Sequence, residues 1–242
     1  MIEVMKDLPK VKAFFSTRLN GVSQKPFESL NLGFHVGDNS DDVKKNHQYI
    51  RTYFPHSKKI SYMSQIHSNI VCDFGSLEDI PECDALITRE QNNILMVMVA
   101  DCIPILIYDK KKKIIAAVHA GRAGAFKNII SETLGLMKKN HNSEFSDIYI
   151  TIGPHIHQCC YEVGIEIVEE ASSLDLEDYI IKENNSFFLD LQSLILSQIK
   201  SLGIIDSHIE IIDECTCCHV DRFFSYRKEG QTGRFCGVIM LK

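Results

Sequence analysis

Two apolar, β-rich runs at residues 97–109 and 114–120 flank four consecutive lysines at 110–113. No other stretch constrains the fold as much. A polar tip between two such runs reads as a hairpin turn, although no Asn-Gly or Asp-Gly dipeptide fixes its type. Loop length then decides which side chains meet. With a two-residue loop, Asp109 pairs with Lys112 and Cys102 lies directly opposite His119. With a four-residue loop the pairing moves one step, and the two become diagonal neighbours on one face. In either register their Cβ atoms lie roughly 5 to 8 Å apart, close enough to share one ion. A three-residue loop puts them on opposite faces. A thiolate and an imidazole brought together in this way make either a metal site or a Cys-His nucleophile pair. The plain alternative is a buried cysteine beside an unrelated strand-end histidine.

The 242 residues can bury a substantial core, and 45% apolar with 24% charged residues is the balance of an ordinary globular protein. A formal net charge of -6 argues against non-specific nucleic-acid binding and against an anionic membrane surface. No run has the length of a transmembrane helix. The N-terminus lacks the basic start and apolar core of a signal peptide. A cytoplasmic protein is therefore expected, with its nine cysteines reduced rather than paired.

Along the chain, residues 11–16 read as a strand, and a turn-rich segment at 26–38 reads as a long ordered loop. Asn39 to Asp42 offer N-caps for a helix that Pro55 stops. Residues 60–74 alternate as one or two strands around the polar cluster Gln65-Ile66-His67-Ser68, and short strands follow at 84–88 and 94–100. Pro104 implies an edge strand or a bulge just past Cys102, since it cannot donate to the ladder. After His119, Ala-Gly-Arg-Ala-Gly leads into one helix carrying Phe126, Ile129, Ile130, Leu134 and Met137 on a single face. That strand–turn–helix junction is a candidate anion pocket, with Arg122 beside it. A strand at 147–152 precedes His155-Ile156-His157, read as a surface pair. Helices follow after Cys159-Cys160-Tyr161-Glu162-Val163-Gly164 and after Asp190, then strands at 209–212, 223–227 and 235–241. Cys215, Cys217, Cys218 and His219 crowd together; read as lacking Cys-x-x-Cys spacing, they make a structural zinc the lesser alternative there. With no linker or repeat, and with strands mixed among helices, residues 1–242 are expected to form one domain with mixed sheets.

Taken together, these stretches resemble the YfiH family, also called laccase-domain or multicopper polyphenol oxidase-like proteins. The likeness rests on Ser16-Thr17-Arg18, Ser29-Leu30-Asn31-Leu32-Gly33, His35-Val36-Gly37-Asp38 and Gln65-Ile66-His67-Ser68. It continues through Asp84-Ala85-Leu86, Ala100-Asp101-Cys102-Ile103-Pro104, His119-Ala120-Gly121-Arg122 and Cys159-Cys160-Tyr161-Glu162-Val163. It closes with Cys215-Thr216, Phe223-Phe224-Ser225-Tyr226-Arg227 and Thr232-Gly233-Arg234. The resemblance implies an α/β fold, a single-domain four-layer α-β-β-α sandwich. It also implies a zinc held by His67, Cys102 and His119, three ligands that leave a fourth position open as catalytic zinc sites do. The implied activity is zinc-dependent phosphorolysis of purine nucleosides (adenosine, inosine, guanosine, methylthioadenosine) together with adenosine deaminase activity. Cys102, His119, Asp101 and Arg122 are then the candidate catalytic residues, with Asp101 as a general acid and Arg122 cradling phosphate. The partners expected are a small nucleoside and phosphate, with no nucleic acid and no membrane, in a monomer or homodimer. Lys228, where a second arginine often follows Tyr-Arg, and the His155/His157 pair depart from the family pattern.

Two other chemistries compete. A copper polyphenol oxidase is what the laccase name suggests, yet multicopper sites need several His-x-His pairs and this chain has one. A cysteine amidohydrolase acting on a cell-wall precursor would use Cys102 as nucleophile and His119 as its base.

Overall fold

The structure is a computed structural model that describes residues 1–74 and 79–242. The chain begins with β1 (Ile2–Val4), β2 (Val11–Phe15), α1 (Ser40–Thr52), β3 (Lys59–Ser61), β4 (Val71–Asp73) and β5 (Ala85–Thr88). Its middle holds β6 (Asn93–Val99), β7 (Ile103–Asp109), β8 (Ile114–Ala120), α2 (Arg122–Phe126), α3 (Ile129–His141) and β9 (Ile148–Ile152). It continues with β10 (Glu162–Val163), α4 (Ile165–Ser173), β11 (Ile180–Glu183), β12 (Ser186–Leu189) and α5 (Leu191–Ser201). It finishes with β13 (Ile209–Ile211), α6 (Tyr226–Glu229) and β14 (Phe235–Leu241).

Strand alternation builds the layers. In β6, Ile94, Met96 and Met98 pack under α1 with Ile50 and Phe54. The intervening Leu95, Val97 and Val99 face the other way, against Leu106 and Tyr108 of β7 and Ile115 and Ala117 of β8. The opposite faces of β7 and β8 carry Ile103, Ile105, Ile107, Ala116 and Val118, which meet α3 and α5 through Ile130, Leu134, Leu194 and Ile195. The result is helix, sheet, sheet, helix. One sheet has the order β1-β2-β14-β6-β3 and the other β13-β9-β7-β8-β5-β4; both mix parallel and antiparallel pairs. The four-layer sandwich implied by the resemblance is the observed architecture. A small third sheet, β10-β12-β11, completes the pairing among the described residues.

The lysine hairpin takes the longer register. Asp109 pairs with Ile114 across residues 110–113, so Pro104 faces His119 and Ile103 faces Ala120. Asp109 sets this turn by accepting N–H bonds from Lys111 and Lys112 at 2.9 and 2.7 Å. The expectation of an edge or bulge at Pro104 is corrected, because β7 lies between β8 and β9. Register with β9 begins only at Ile105, and the Pro104 carbonyl accepts the Gly153 N–H at 2.9 Å. The proline nitrogen therefore faces past the last paired residue, where no ladder bond is lost.

Three other expectations change. The helix after Gly121 is two helices, because Asn128 is left-handed (φ 56°) and caps α3 through Ser131 N–H. Residues 223–227 are not a strand. Phe223 and Phe224 are buried core, while Ser225 caps the short α6. The β11–β12 hairpin was not anticipated. It turns at Asn184, with φ 53°, and its two strands are only half-buried, so apolar patterning is weak there.

Candidate metal centre

His119 follows Ile115 and Ala117 on the inter-sheet face of β8, so the hairpin carries a polar residue to the end of the space between the sheets. Cys102 precedes β7 on the same edge, diagonal to His119, as the four-residue loop dictates. His67 arrives from a distant loop with left-handed backbone (φ 58°). The three ligand atoms lie within 4.8 Å of one another.

Asp84, fully buried just before β5, holds this arrangement. Its Oδ1 accepts from His119 Nδ1 at 2.7 Å and from the His67 N–H at 3.1 Å. Its Oδ2 accepts from Ser68 N–H and Oγ at 2.6 and 2.7 Å and from the Ile66 N–H at 3.3 Å. A carboxylate only accepts, so His119 donates from Nδ1 and turns Nε2 to the site. Gln65 ties the same loop to β6, its side chain donating to the Met98 carbonyl at 2.7 Å and accepting the Met98 N–H at 2.9 Å.

Electrostatics follow from this packing. Burial alone would raise the Asp84 carboxyl, but hydrogen bonds from His119 and Ser68 outweigh it and hold the group below the ordinary carboxylate range. Burial works against charge on His119, yet Cys102 and Asp84 overrule it and push its pKa up to about 9. Burial and the neighbouring His119 lower the pKa of His67.

The residues fit a tetrahedral cation. Two imidazoles and a thiolate supply three donors, the pattern of zinc sites that keep a position open. Gly121 is where the fit is most specific: a Cβ there would stand 2.8 Å from His67 Nδ1 and 3.1 Å from Cys102 Sγ. The Gly121 backbone itself is extended (φ -75°, ψ 171°), so alanine costs no backbone strain. Gly121→Ala is therefore expected to displace the two ligands. It should abolish most metal binding at this centre while the metal-free protein melts close to wild type. Metal analysis paired with thermal melts checks this, and full metal content in the Gly121→Ala protein would remove the centre.

The site opens onto a cavity of about 610 Å³ lined by His35, Gln65, His67, Cys102, His119 and Arg234, among others. That lies within the ~300–1,000 Å³ typical of small-molecule sites. A smaller cavity of about 210 Å³, lined by Asp101, Ile156, Tyr161, Leu191, Tyr226 and Arg227, shares Ala100, Cys102 and Tyr226 with it. Cys102 thus stands on the wall between the two.

The other candidate residues sit differently. Asp101, left-handed at φ 95°, turns its carboxylate away from the ladder; it accepts from Thr216 Oγ1 at 2.7 Å and from the Arg227 N–H at 2.6 Å. Arg122 pairs with Glu170, lies 5.5 Å from the Phe126 ring centre, and lines neither cavity. The helix that starts there has only five residues, too short for a strong terminal anion site. Arg234 is the guanidinium in the larger cavity, with burial pressing against its charge. Sequence reasoning gave no role to Asp84 or Arg234. Both stand in family stretches, but their meaning depends on pairings between distant segments. His155 and His157 are not the surface pair expected: His155 is fully buried and His157 half-buried on the loop bridged to Cys215, apart from His67, Cys102 and His119.

Comparison with known proteins shows the family. Residues 12–242 match the family described as multi-copper polyphenol oxidoreductase laccase. A purine nucleoside phosphorylase of Clostridium acetobutylicum is 35% identical over 96% of this chain and 93% of its own. The purine nucleoside phosphorylase YfiH of Escherichia coli is 31% identical over 96% and 94%. Among solved structures, the hypothetical protein YfiH of Bacillus licheniformis superposes with a TM-score of 0.92 at 26% identity, covering 98% of this chain and 95% of that one. YlmD of Geobacillus stearothermophilus gives 0.87 at 28% identity, over 98% and 94%. With a match spanning nearly its whole length, the chain belongs to the laccase-like family that includes the YfiH and YlmD proteins.

Proposed function

We propose that this protein is a purine nucleoside phosphorylase that works with zinc held by His67, Cys102 and His119, and that it also deaminates adenosine. The observation that carries this reading is the three-donor set with its open side on a substrate-sized cavity. The relatives named purine nucleoside phosphorylase support the reaction class. Zinc bound there would supply a Lewis acid that activates an oxygen nucleophile.

The chain's own residues do the rest. Arg234 offers a fixed positive fork suited to phosphate. Tyr161, Tyr226, Ile156 and Leu191 give the smaller cavity an aromatic and apolar surface suited to a purine base. Asp101 is a positioning residue in this reading, because it fixes the Arg227 backbone and the Thr216 loop.

A nucleoside panel with and without phosphate tests the proposal: base release should require phosphate, and adenosine should yield inosine without it. Arg234→Ala should raise the phosphate KM by roughly 10- to 100-fold, the range expected when hydrogen bonds to a charged group are lost. Adenosine deamination should fall far less. Arg122→Ala should leave the phosphate KM near wild type, and the reverse ranking would return the phosphate site to Arg122. No phosphate-dependent base release from any nucleoside would end the phosphorylase reading.

One observation favours a second reading. Cys102, His119 and Asp84 stand in the order nucleophile, base and orienting carboxylate. Against it, a nucleophile pair has no use for His67 at the same point or for the gap that Gly121 preserves.

A further inference from the structure

A second cluster lies on the far side of Asp101. Two loops, residues 155–161 and 214–219, are bridged where His155 meets Cys215; His155 N–H donates to the Glu214 carbonyl, and Thr216 N–H to that of His155. The bridge brings Cys159, Cys160, Cys215 and Cys218 together, with all four sulfurs within 4.8 Å of one another. Cys159 Sγ lies 3.8, 3.9 and 3.8 Å from the sulfurs of Cys160, Cys215 and Cys218, and Cys160 Sγ is 3.4 Å from Cys218 Sγ.

These separations discriminate between chemistries. A disulfide needs sulfurs about 2.05 Å apart, and no pair approaches that. Four thiolates around one zinc at about 2.3 Å stand about 3.8 Å from each other along the edges of a tetrahedron. Three of the four distances above fall on that edge to within about 0.1 Å. The His157 N–H also points at Cys215 Sγ, at 3.4 Å, the kind of backbone bond that stabilises a thiolate.

We infer that Cys159, Cys160, Cys215 and Cys218 form a closed tetrathiolate site for a second, structural zinc. The crowded run at residues 215–219 is thereby corrected as a sequence reading. Cys215 and Cys218 are in Cys-x-x-Cys spacing, the other half comes from the adjacent pair Cys159-Cys160, and Cys217 and His219 are outside the quartet. The site staples the two loops that hold the wall of the smaller cavity. Thr216 binds Asp101, Ile156 N–H donates to the Asp101 carbonyl at 2.9 Å, and Arg227 donates to the carbonyls of Cys160 and Glu162.

Anaerobic purification followed by loading with Zn²⁺ alone, or with Co²⁺ alone, tests this. The wild-type chain should bind two equivalents of zinc. His67→Ala with Cys102→Ala should keep one, and its cobalt form should show the intense visible bands and sulfur-to-metal charge transfer of tetrahedral tetrathiolate cobalt. Cys159→Ser with Cys218→Ser should also keep one equivalent, now without that signature. Should the serine variant fail to fold, the cobalt spectrum of the His67, Cys102 double variant decides alone. A cobalt spectrum in that variant without thiolate charge transfer would overturn the inference, as would two equivalents retained by the serine variant. So would peptide mass spectrometry finding Cys160 joined to Cys218 in the anaerobic protein. Because the two sites are removed separately, loss of one assignment leaves the other standing.

Discussion

Asp84→Asn is expected to lower metal affinity at the His67, Cys102, His119 centre by about 10- to 100-fold, the usual cost of losing a carboxylate that orients a metal-bound histidine. Each Asp84 oxygen accepts at least two donors. The side chain they converge on is fully buried, so water does not cheaply replace a lost bond. An amide NH₂ must take the place of one oxygen, where it meets N–H groups with nothing to accept. If it faces His119, the ring is driven to the tautomer with its proton on Nε2, the nitrogen that must stay free for the cation. Asp84→Ala leaves all those donors unpaired and should also lower the melting temperature of the metal-free protein, since each buried unsatisfied group costs about 1–3 kcal/mol. Competition against a chromophoric chelator measures the affinity. Wild-type affinity in Asp84→Asn would mean that His119 is not oriented through this carboxylate, or is not a ligand.

Cys102 separates the zinc reading from the cysteine-hydrolase reading most sharply. Loss of activity in Cys102→Ala decides nothing, because both chemistries need the sulfur. They differ in whether that sulfur is free to react. In the zinc-loaded protein Cys102 is expected to resist iodoacetamide until a chelator strips the metal, and activity should return when zinc is restored to unalkylated protein. A nucleophile would instead alkylate quickly in the untreated enzyme, with inhibition in step with labelling and no response to chelators. Nine cysteines make total thiol counts uninformative, so the label is located by peptide mass spectrometry. Labelled Cys102 together with chelator-indifferent activity would overturn the zinc mechanism and establish the nucleophile.

Much of this centre was legible along the chain because its middle is local. Cys102 and His119 are joined by one hairpin, and antiparallel pairing with period-two alternation leaves few ways for them to miss each other. The capping residues Asn39 and Asp190 marked helix starts for the same reason, since a side-chain oxygen two or three residues from an unpaired N–H is a local matter. His67 was different. Only its family motif singled it out, because the loop that carries it is folded around a carboxylate from another segment.

Tertiary structure alone decided the rest. The register of the lysine hairpin depended on Asp109 capping the turn, which no dipeptide signal announces. Residue type does not separate Arg122 from Arg234; the fold pairs Arg122 with Glu170 and sets Arg234 in the wall of the larger cavity, through contacts from elsewhere in the chain. By residue type Asp101 is a general-acid candidate; only the fold shows that Thr216 and the Arg227 N–H bind its two oxygens. Cys159 stands 56 and 59 residues before Cys215 and Cys218, and the bridge at His155 brings their two loops together. By itself, the sequence determined the alternating strands, the helix caps and the chemistry available at each position. Which of those groups share a site is set by contacts between distant segments, whose geometry is fixed only when the two sheets close on a common core.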